Sequence, residues 1–344
     1  MAAVSQRGFP GPPKGDRLPV VEYLRGIAAV SVAWFHLSNS YEGGWVAASG
    51  SLGWLGVDVF FVISGFVIPL SIWRGFQGYS VRRLPDFLAR RLIRLEPPYL
   101  ISIALTLVLW YLSSLAPGFQ GHAPDWSVGQ LLAHLLYLIP LTDFNWLQPV
   151  YWSLAWEFAF YVIMGLTFTV VASAKWRYAW ILAALTTMSL VLLGVVLEQA
   201  LLFVVGIAVF RLKEVDRPVE VMIDRVITAL AVAVIATCSP KVAVVALATA
   251  LAIYASGSRT APPGVHRALT SLGAVSYSLY LTHVPIGGRV VNLGSRFVDQ
   301  PFHELLLSLL ALAVSLGFAA VFWRVIERPF VAMSRRFNGA RREG

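Results

Sequence analysis

The feature that most constrains this chain is a series of apolar runs, each close to the length of a helix that crosses a lipid bilayer. Such a helix needs about 20 mostly apolar residues. Hydrophobic residues make up 58% and charged residues 13% of the 344 positions, whereas soluble domains average about 25% charged residues. The sequence therefore predicts an all-α polytopic membrane protein with about ten transmembrane helices. The predicted spans are 20–40, 52–73, 98–116, 150–172, 178–197, 200–212, 222–238, 241–256, 268–288 and 304–326.

One further apolar segment, 128–141, is too short to be counted with the others. If this segment is a re-entrant or interfacial helix, most basic residues fall in cytoplasmic segments. This agrees with the excess of Lys and Arg that cytoplasmic loops of membrane proteins carry. Both termini are then cytoplasmic, in a multi-pass protein of the inner (plasma) membrane. We expect a disordered cytoplasmic tail over 1–18, a membrane domain over 19–328 and a basic cytoplasmic tail over 329–344.

Charge and cysteine content exclude several classes of function. The 27 Lys and Arg exceed the 18 Asp and Glu, but these charges lie in short clusters between apolar runs, which argues against nucleic-acid binding. The single cysteine, Cys238, excludes an internal disulfide and a multi-thiolate metal site. We expect no metal and no bound cofactor.

The first predicted span carries two ionisable residues, Arg25 and His36. Eleven residues correspond to three helical turns plus about 20°, so both side chains project from one face, at depths that differ by about 16 Å. Ionisable side chains inside a membrane are costly and mark functional sites by default. The alternative is that Arg25 extends to the headgroups and His36 is a structural histidine of the helix bundle.

The fourth predicted span carries a polar stripe that includes Ser153 and Glu157, spaced i, i+4. Glu157 would lie at a depth similar to that of His36. A carboxylate paired with the imidazole would fix its tautomer and make it a better base. A structural ion pair between two helices is the alternative.

Two other spans contribute polar residues at a similar depth. Asp58 lies in the outer third of the second span, and Tyr280 and His283 share a face of the ninth. We regard these residues, together with Ser153, as possible supporting groups. For His283, a hydrogen-bonded structural histidine is equally compatible with the sequence.

Arg90, Arg91 and Arg94 lie within one helical turn, just before Pro97. Arginines so close together can converge on a phosphate group at the membrane surface. They could hold a nucleotide-bearing donor or an anionic lipid headgroup, or they could only reflect topology.

Together these segments resemble the acyltransferase-3 family of integral-membrane O-acyltransferases. The matching segments, in family order, are 24–36, 56–66, 90–99, 152–157, 276–283 and 327–329. The resemblance implies a membrane acyltransferase domain over 19–328 with ten helices and acyl-coenzyme A as co-substrate. It also implies that Arg25 and His36 are needed for transfer, and that Arg91 and Arg94 form the family's cytoplasmic Arg-x-x-Arg element.

The predicted function is transfer of an acyl group, an acetyl group by preference, from acyl-coenzyme A to a hydroxyl of a carbohydrate-containing acceptor. The acceptor would be a cell-surface polysaccharide or a glycolipid. His36, oriented by Glu157, is the candidate general base, Arg25 completes the catalytic set, and Tyr280 or His283 would stabilise the oxyanion.

Two other classes stay open at this point. A transporter of a glycolipid or small solute could use His36, Glu157 and His283 as a proton relay. A structural membrane subunit would account for the apolar mass but not for the polar stripe.

Overall fold

We analysed a computed structural model, which describes residues 18–40, 43–76, 78–115, 125–173, 177–194, 196–214, 218–257, 260–298 and 300–336. These residues form helices and turns and no strand, so the all-α prediction is confirmed. The predicted tail over 1–18 lies outside the described residues, except for Leu18.

The helices, in chain order, are α1 (Pro19–Ser38), α2 (Gly44–Gly50), α3 (Gly56–Gly75), α4 (Leu84–Ser114), α5 (Val128–Leu135), α6 (Trp152–Val171), α7 (Arg177–Leu192), α8 (Gln199–Glu214), α9 (Pro218–Cys238), α10 (Pro240–Ala255), α11 (Pro263–Gly294), α12 (Pro301–Phe322) and α13 (Arg328–Arg336). A π-helical turn, Trp323–Glu327, joins α12 to α13.

Six segments of the described chain are long and apolar enough to cross a membrane, and the count of about ten spans stays a prediction. Two shorter apolar helices, α7 and α10, fall below that length. The six segments are Pro19–Ser38, Gly44–Gly75, Val81–Ser114, Trp152–Val171, Pro218–Cys238 and Pro301–Arg336.

Two helices run through prolines, and at the first of these sites the sequence predicted the beginning of a span. The third span was expected to begin at Pro98, but α4 begins at Leu84 and continues through Pro97 and Pro98 for 31 residues. Helix α11 likewise continues past Pro285 to Gly294. Proline is tolerated inside membrane helices because neighbouring groups can satisfy the backbone that it leaves unpaired.

The chain divides into two compact units, and α1, α4, α6 and α11 contribute residues to both. The first unit comprises Met1–Ala28, of which 18–28 are described, Leu55–Phe87 and Phe160–Gly273. The second comprises Ala29–Trp54, Leu88–Ala159 and Ala274–Gly344, described as far as 336.

In the first unit, α3 and α8 approach closely at two glycines. A Cβ atom on Gly65 would collide with the carbonyl oxygen of Phe203, and one on Gly206 would collide with that of Val62. Small residues allow membrane helices to pack backbone against backbone. The two glycines therefore allow the backbones of α3 and α8 to come into contact.

A buried ion pair joins α8 to α9 in the same unit. The Nε atom of Arg211 lies 2.8 Å and 3.0 Å from the two carboxylate oxygens of Asp224. The indole N–H of Trp180, on α7, donates to the same carboxylate at 2.9 Å. Arg211 and Asp224 are only 1% and 0% exposed, so three helices are held together by a desolvated charge pair.

Candidate functional site: a histidine pair in the second unit

The second unit brings together two of the predicted site residues, His36 and His283. His36 lies near the end of α1 and is half-buried, and His283 lies on α11 and is fully buried. Their ring centroids are 5.3 Å apart, with the ring planes tilted by 42°. The ring of Phe35 contacts the His36 ring edge-on, at 5.0 Å.

Close packing of α1 against α11 explains this contact. Gly287 lies one turn beyond His283, and a Cβ atom there would crowd Leu37, the neighbour of His36. Leu37 is itself buried against Val291 and Ala311. The same Cβ atom would also meet the Ser315 hydroxyl on α12, so α1, α11 and α12 pack closely around Gly287.

A hydrogen bond fixes the orientation of the His283 ring. Its Nδ1 atom lies 2.9 Å from the carbonyl oxygen of Leu279, one helical turn earlier. The Nε2 atom is buried, and it has no hydrogen-bond partner among the residues that the structure describes. Buried polar atoms are nearly always paired, so an unpaired one in a native fold requires an explanation.

A hydroxyl cluster adjoins the histidine pair. The hydroxyl oxygens of Ser153 and Tyr280 are 2.6 Å apart, and both groups bond the carbonyl oxygen of Val150, at 3.1 Å and 3.0 Å. The Tyr280 ring lies 6.2 Å from the His283 ring. Two of the predicted supporting residues, Ser153 and Tyr280, are thus in direct contact.

Glu157 is half-buried, one turn after Ser153 on α6, and its carboxylate is close enough to Tyr280 to interact with it electrostatically. Within the described chain, the His36 ring contacts the ring of His283, which lies on another helix. The ion pairs found among the described residues do not include His36 with Glu157. Pairing of these two residues stays a prediction.

The arginine cluster lies inside α4 and not in a loop before it. Arg90, Arg91 and Arg94 are each half-buried. The next residue, Leu95, accepts a hydrogen bond at its carbonyl oxygen from the Tyr277 hydroxyl, at 2.9 Å. Since Tyr277 is on α11, the helix that carries Tyr280 and His283 is tied directly to the end of the arginine cluster.

The segment predicted to be re-entrant or interfacial folds against α4. Tyr137 donates to the Glu96 carboxylate at 2.7 Å, and its ring stacks on both Tyr99, at 5.5 Å, and Phe158, at 4.7 Å. Its φ of 56° is uncommon for a bulky residue. These contacts hold Tyr137 in a strained backbone conformation.

His134, on α5, is held in one tautomer. Its Nε2 atom accepts from the backbone N–H of Leu147 at 3.2 Å, so Nδ1 carries the proton and donates to the Tyr99 hydroxyl at 2.9 Å. Burial lowers the pKa of the His134 imidazole to about 4, which keeps it neutral near pH 7.

Sequence reasoning missed the contacts of Tyr99, His134 and Tyr137, and it also missed a buried carboxylate. The Ser278 hydroxyl donates to Glu327 at 2.6 Å, and Glu327 is 3% exposed in the π-helical turn. Such turns often occur at functional sites. The sequence did contain a signal for Glu327, because the Glu-Arg-Pro segment at 327–329 is one of the segments that carry the family resemblance.

The remaining predicted residues, Arg25 and Asp58, belong to the first unit. Arg25 is half-buried and precedes Gly26, which packs tightly against Leu272. Asp58 is 2% exposed in the first turn of α3, and its Oδ2 atom is buried without a hydrogen-bond partner among the described residues. The described chain contains no group of three or more His, Cys, Asp or Glu arranged to hold a metal.

Fold and site together define an α-helical membrane protein with buried histidines and hydroxyls in its helices. The family model for the acyltransferase domain of the acyltransferase-3 family matches residues 18–324. The chain therefore belongs to this family, which confirms the classification made from the motifs. No solved structure matches the chain.

Three curated relatives illustrate the similarity. Acyltransferase MdmB of Streptomyces mycarofaciens is 31% identical over 183 residues, which cover 50% of this chain and 45% of MdmB. YrhL of Bacillus subtilis (strain 168), named as a peptidoglycan O-acetyltransferase, is 27% identical over 53% of this chain and 29% of YrhL. A protein of Staphylococcus aureus (strain COL) named as an O-acetyltransferase is 33% identical over 28% of this chain and 14% of its own length. The chain thus spans less than half the length of these relatives.

Proposed function

We propose that this protein transfers an acyl group, by preference an acetyl group, from acyl-coenzyme A to a hydroxyl of a carbohydrate-containing acceptor, such as a cell-surface polysaccharide or a glycolipid. The observation that carries the proposal is the contact of His36 with His283 beside the hydroxyls of Ser153 and Tyr280. Imidazole and hydroxyl groups are the groups that acyl transfer to an alcohol requires.

The donor is proposed to enter at Arg90, Arg91 and Arg94. Guanidinium groups form strong, bidentate hydrogen bonds to phosphate oxygens, and coenzyme A carries several phosphates. The bond from Tyr277 to Leu95 supports this assignment, because it links the arginine-bearing part of α4 to the helix that carries His283. Both termini would be cytoplasmic in the inner membrane, so the donor would come from the cytoplasm.

In the proposed reaction, His36 removes the proton of the acceptor hydroxyl as its oxygen attacks the thioester carbonyl carbon. A C–O bond forms, the C–S bond breaks, and the thiolate of coenzyme A takes the proton from the His36 imidazolium. Charge develops on the carbonyl oxygen in the transition state. Nε2 of His283 carries no proton when Nδ1 donates to Leu279, so Tyr280 is the better candidate for stabilising that oxygen. Its hydroxyl, which donates to the carbonyl oxygen of Val150 here, would turn to the substrate.

The roles of Arg25 and Glu157 belong to the proposal as well. Arg25 would interact with the pantetheine arm as it passes along the helices. Glu157 stays the candidate for orienting the His36 imidazole, and it also interacts electrostatically with Tyr280. The name of YrhL, a peptidoglycan O-acetyltransferase, supports a glycan as the acceptor.

The test is an acetyl-transfer assay with the purified full chain in detergent. Acetyl-coenzyme A labelled in the acetyl group is incubated with a panel of peptidoglycan fragments, cell-surface polysaccharides and glycolipids. We expect label in an ester of one of these glycans. A transporter would move no label to product in detergent, where no gradient exists, and that result would overturn the proposal.

A further inference from the structure

We propose that His283 acts as the proton-accepting partner of His36, so that the two residues form a histidine dyad in which His283 is a positioning residue. This inference rests on the proposed function and adds a role that the sequence assigned to Glu157. It depends on three observations: the tautomer of His283, the burial of its second nitrogen, and the distance between the two rings.

The tautomer follows from the hydrogen bond to Leu279. A carbonyl oxygen can only accept, so the Nδ1 atom of His283, 2.9 Å away, must carry a proton. A neutral imidazole has one N–H group. The Nε2 atom of His283 is therefore a lone-pair acceptor.

That acceptor is buried away from bulk solvent. His283 is 0% exposed, and its Nε2 atom has no hydrogen-bond partner among the described residues. Leaving such an acceptor unsatisfied costs free energy. A donor that forms its hydrogen bond during the reaction cycle would offset that cost.

The His36 ring is within reach to be that donor. Two imidazole rings joined edge to edge by an N–H···N bond of about 3 Å have centroids roughly 5 Å apart. The observed separation is 5.3 Å with a tilt of 42°, so rotation of the half-buried His36 side chain would form the bond. The other nitrogen of His36 would then hold the lone pair that receives the hydroxyl proton.

His283 is held firmly enough to orient a partner. Its Nδ1 is bonded to the helix backbone, and the neighbouring Tyr280 is anchored to the carbonyl oxygen of Val150 at 3.0 Å. In the dyad, His283 orients the His36 imidazole, as the aspartate orients the histidine in a Ser-His-Asp triad. An acceptor at this position also stabilises the imidazolium that forms when His36 takes the proton.

The kinetic test compares His283→Gln with His283→Leu, using the glycan that the wild-type protein labels. The amide oxygen of glutamine lies three bonds from Cβ, as Nε2 of histidine does, so it keeps an acceptor; leucine keeps only the bulk. For His283→Leu we expect kcat to fall roughly 100-fold, within the range for general-base effects, with the KM for acetyl-coenzyme A unchanged. His283→Gln should retain a rate within about tenfold of wild type.

Two kinetic outcomes would overturn the proposal. The first is a kcat of His283→Leu within twofold of wild type. The second is an equal loss in both variants when both elute as monodisperse, folded protein. The matched control is His303→Gln, an exposed position on α12, which should leave kcat and KM unchanged.

A spectroscopic arm needs no acceptor, so it separates failure of the dyad from failure of the proposed function. With the six histidines labelled with ¹⁵N, the signals lost in His283→Gln identify His283. We expect its Nδ1 to be protonated and its Nε2 bare, and the signals of His36 to shift in His283→Leu but not in His303→Gln. A protonated Nε2 with a bare Nδ1 would overturn the dyad whether or not acyl transfer is found.

Discussion

The first unit buries the carboxylate of Asp224, which accepts hydrogen bonds from Arg211 and Trp180, while the second unit buries the imidazole of His283 with one nitrogen unpaired among the described residues. Both groups are 0% exposed. The difference separates two uses of buried polarity. A paired charge stabilises the packing of three helices, whereas an unpaired acceptor beside a second histidine is suited to proton transfer.

The largest effect should come from removing His36 or Arg25. We expect His36→Ala to lower acetyl transfer by roughly 1000-fold, because proton removal by a positioned base contributes about 10² to 10⁴. Arg25→Ala should abolish transfer as well, because the family resemblance implies that Arg25 is needed for it. Expression and membrane insertion should be unchanged, as judged by yield and by gel-filtration profile. If a folded His36→Ala protein transferred acetyl groups at the normal rate, the reaction site would not be the histidine pair of the second unit.

The ion pair of the first unit should instead matter for stability. Asp224→Ala leaves the Arg211 charge buried without its carboxylate, which typically costs about 3–5 kcal/mol. We expect a large drop in the thermal unfolding temperature, with the activity per folded molecule retained. The control is Arg225→Ala, the next residue on α9, which is exposed and should change stability little. Equal melting of both variants would show that the buried pair does not hold the helices together.

The sequence predicted the fold class and the helix that carries His36, but it did not predict the contacts between helices. Apolar run lengths gave an all-α membrane protein, and the spacing of Arg25 and His36 singled out α1. The ring contact of His36 with His283 depends on how α1 packs against α11, and no pattern within one helix reports that. The bond from Tyr137 to Glu96 was hidden for the same reason, because it joins residues 41 positions apart.

The predicted beginning of the third span at residue 98 was wrong, because the membrane environment outweighs the local preferences of proline. The prolines at 97 and 98 led to a predicted span that begins at residue 98, since proline lacks an N–H and restricts the preceding residue. In a bilayer, a broken helix would expose unpaired backbone, so α4 continues through both prolines. As a result, Arg90, Arg91 and Arg94 lie inside α4, although the predicted third span began only after them, at residue 98.

A smaller effect is expected at Tyr280, which belongs to the second unit. Tyr280→Phe removes the hydroxyl that contacts Ser153 and Val150 but keeps the ring. We expect kcat to fall about 100-fold, as when an oxyanion donor is removed, with an unchanged KM for acetyl-coenzyme A. The same substitution at the exposed Tyr254 serves as the control. A change confined to KM would show that Tyr280 binds a substrate and does not stabilise the transition state.

The smallest kinetic effect should come from the arginine cluster. Replacing Arg91 and Arg94 together with glutamine removes two charge interactions with phosphate, each worth up to about 1 kcal/mol at a solvent-accessible position. We expect the KM for acetyl-coenzyme A to rise about tenfold, with kcat little changed. The matched control is the double change of the exposed Arg82 and Arg83 to glutamine. An unchanged donor KM would indicate that Arg91 and Arg94 serve topology alone.

The central claim is that His36 carries out acyl transfer to a surface glycan, and mass spectrometry of glycans from living cells tests it most directly. Cells that lack the gene are complemented with the wild-type chain, with His36→Ala or with His303→Ala. The account predicts that the acetyl ester returns with the wild-type chain and with His303→Ala, but not with His36→Ala. Full restoration of the ester by His36→Ala would contradict the account.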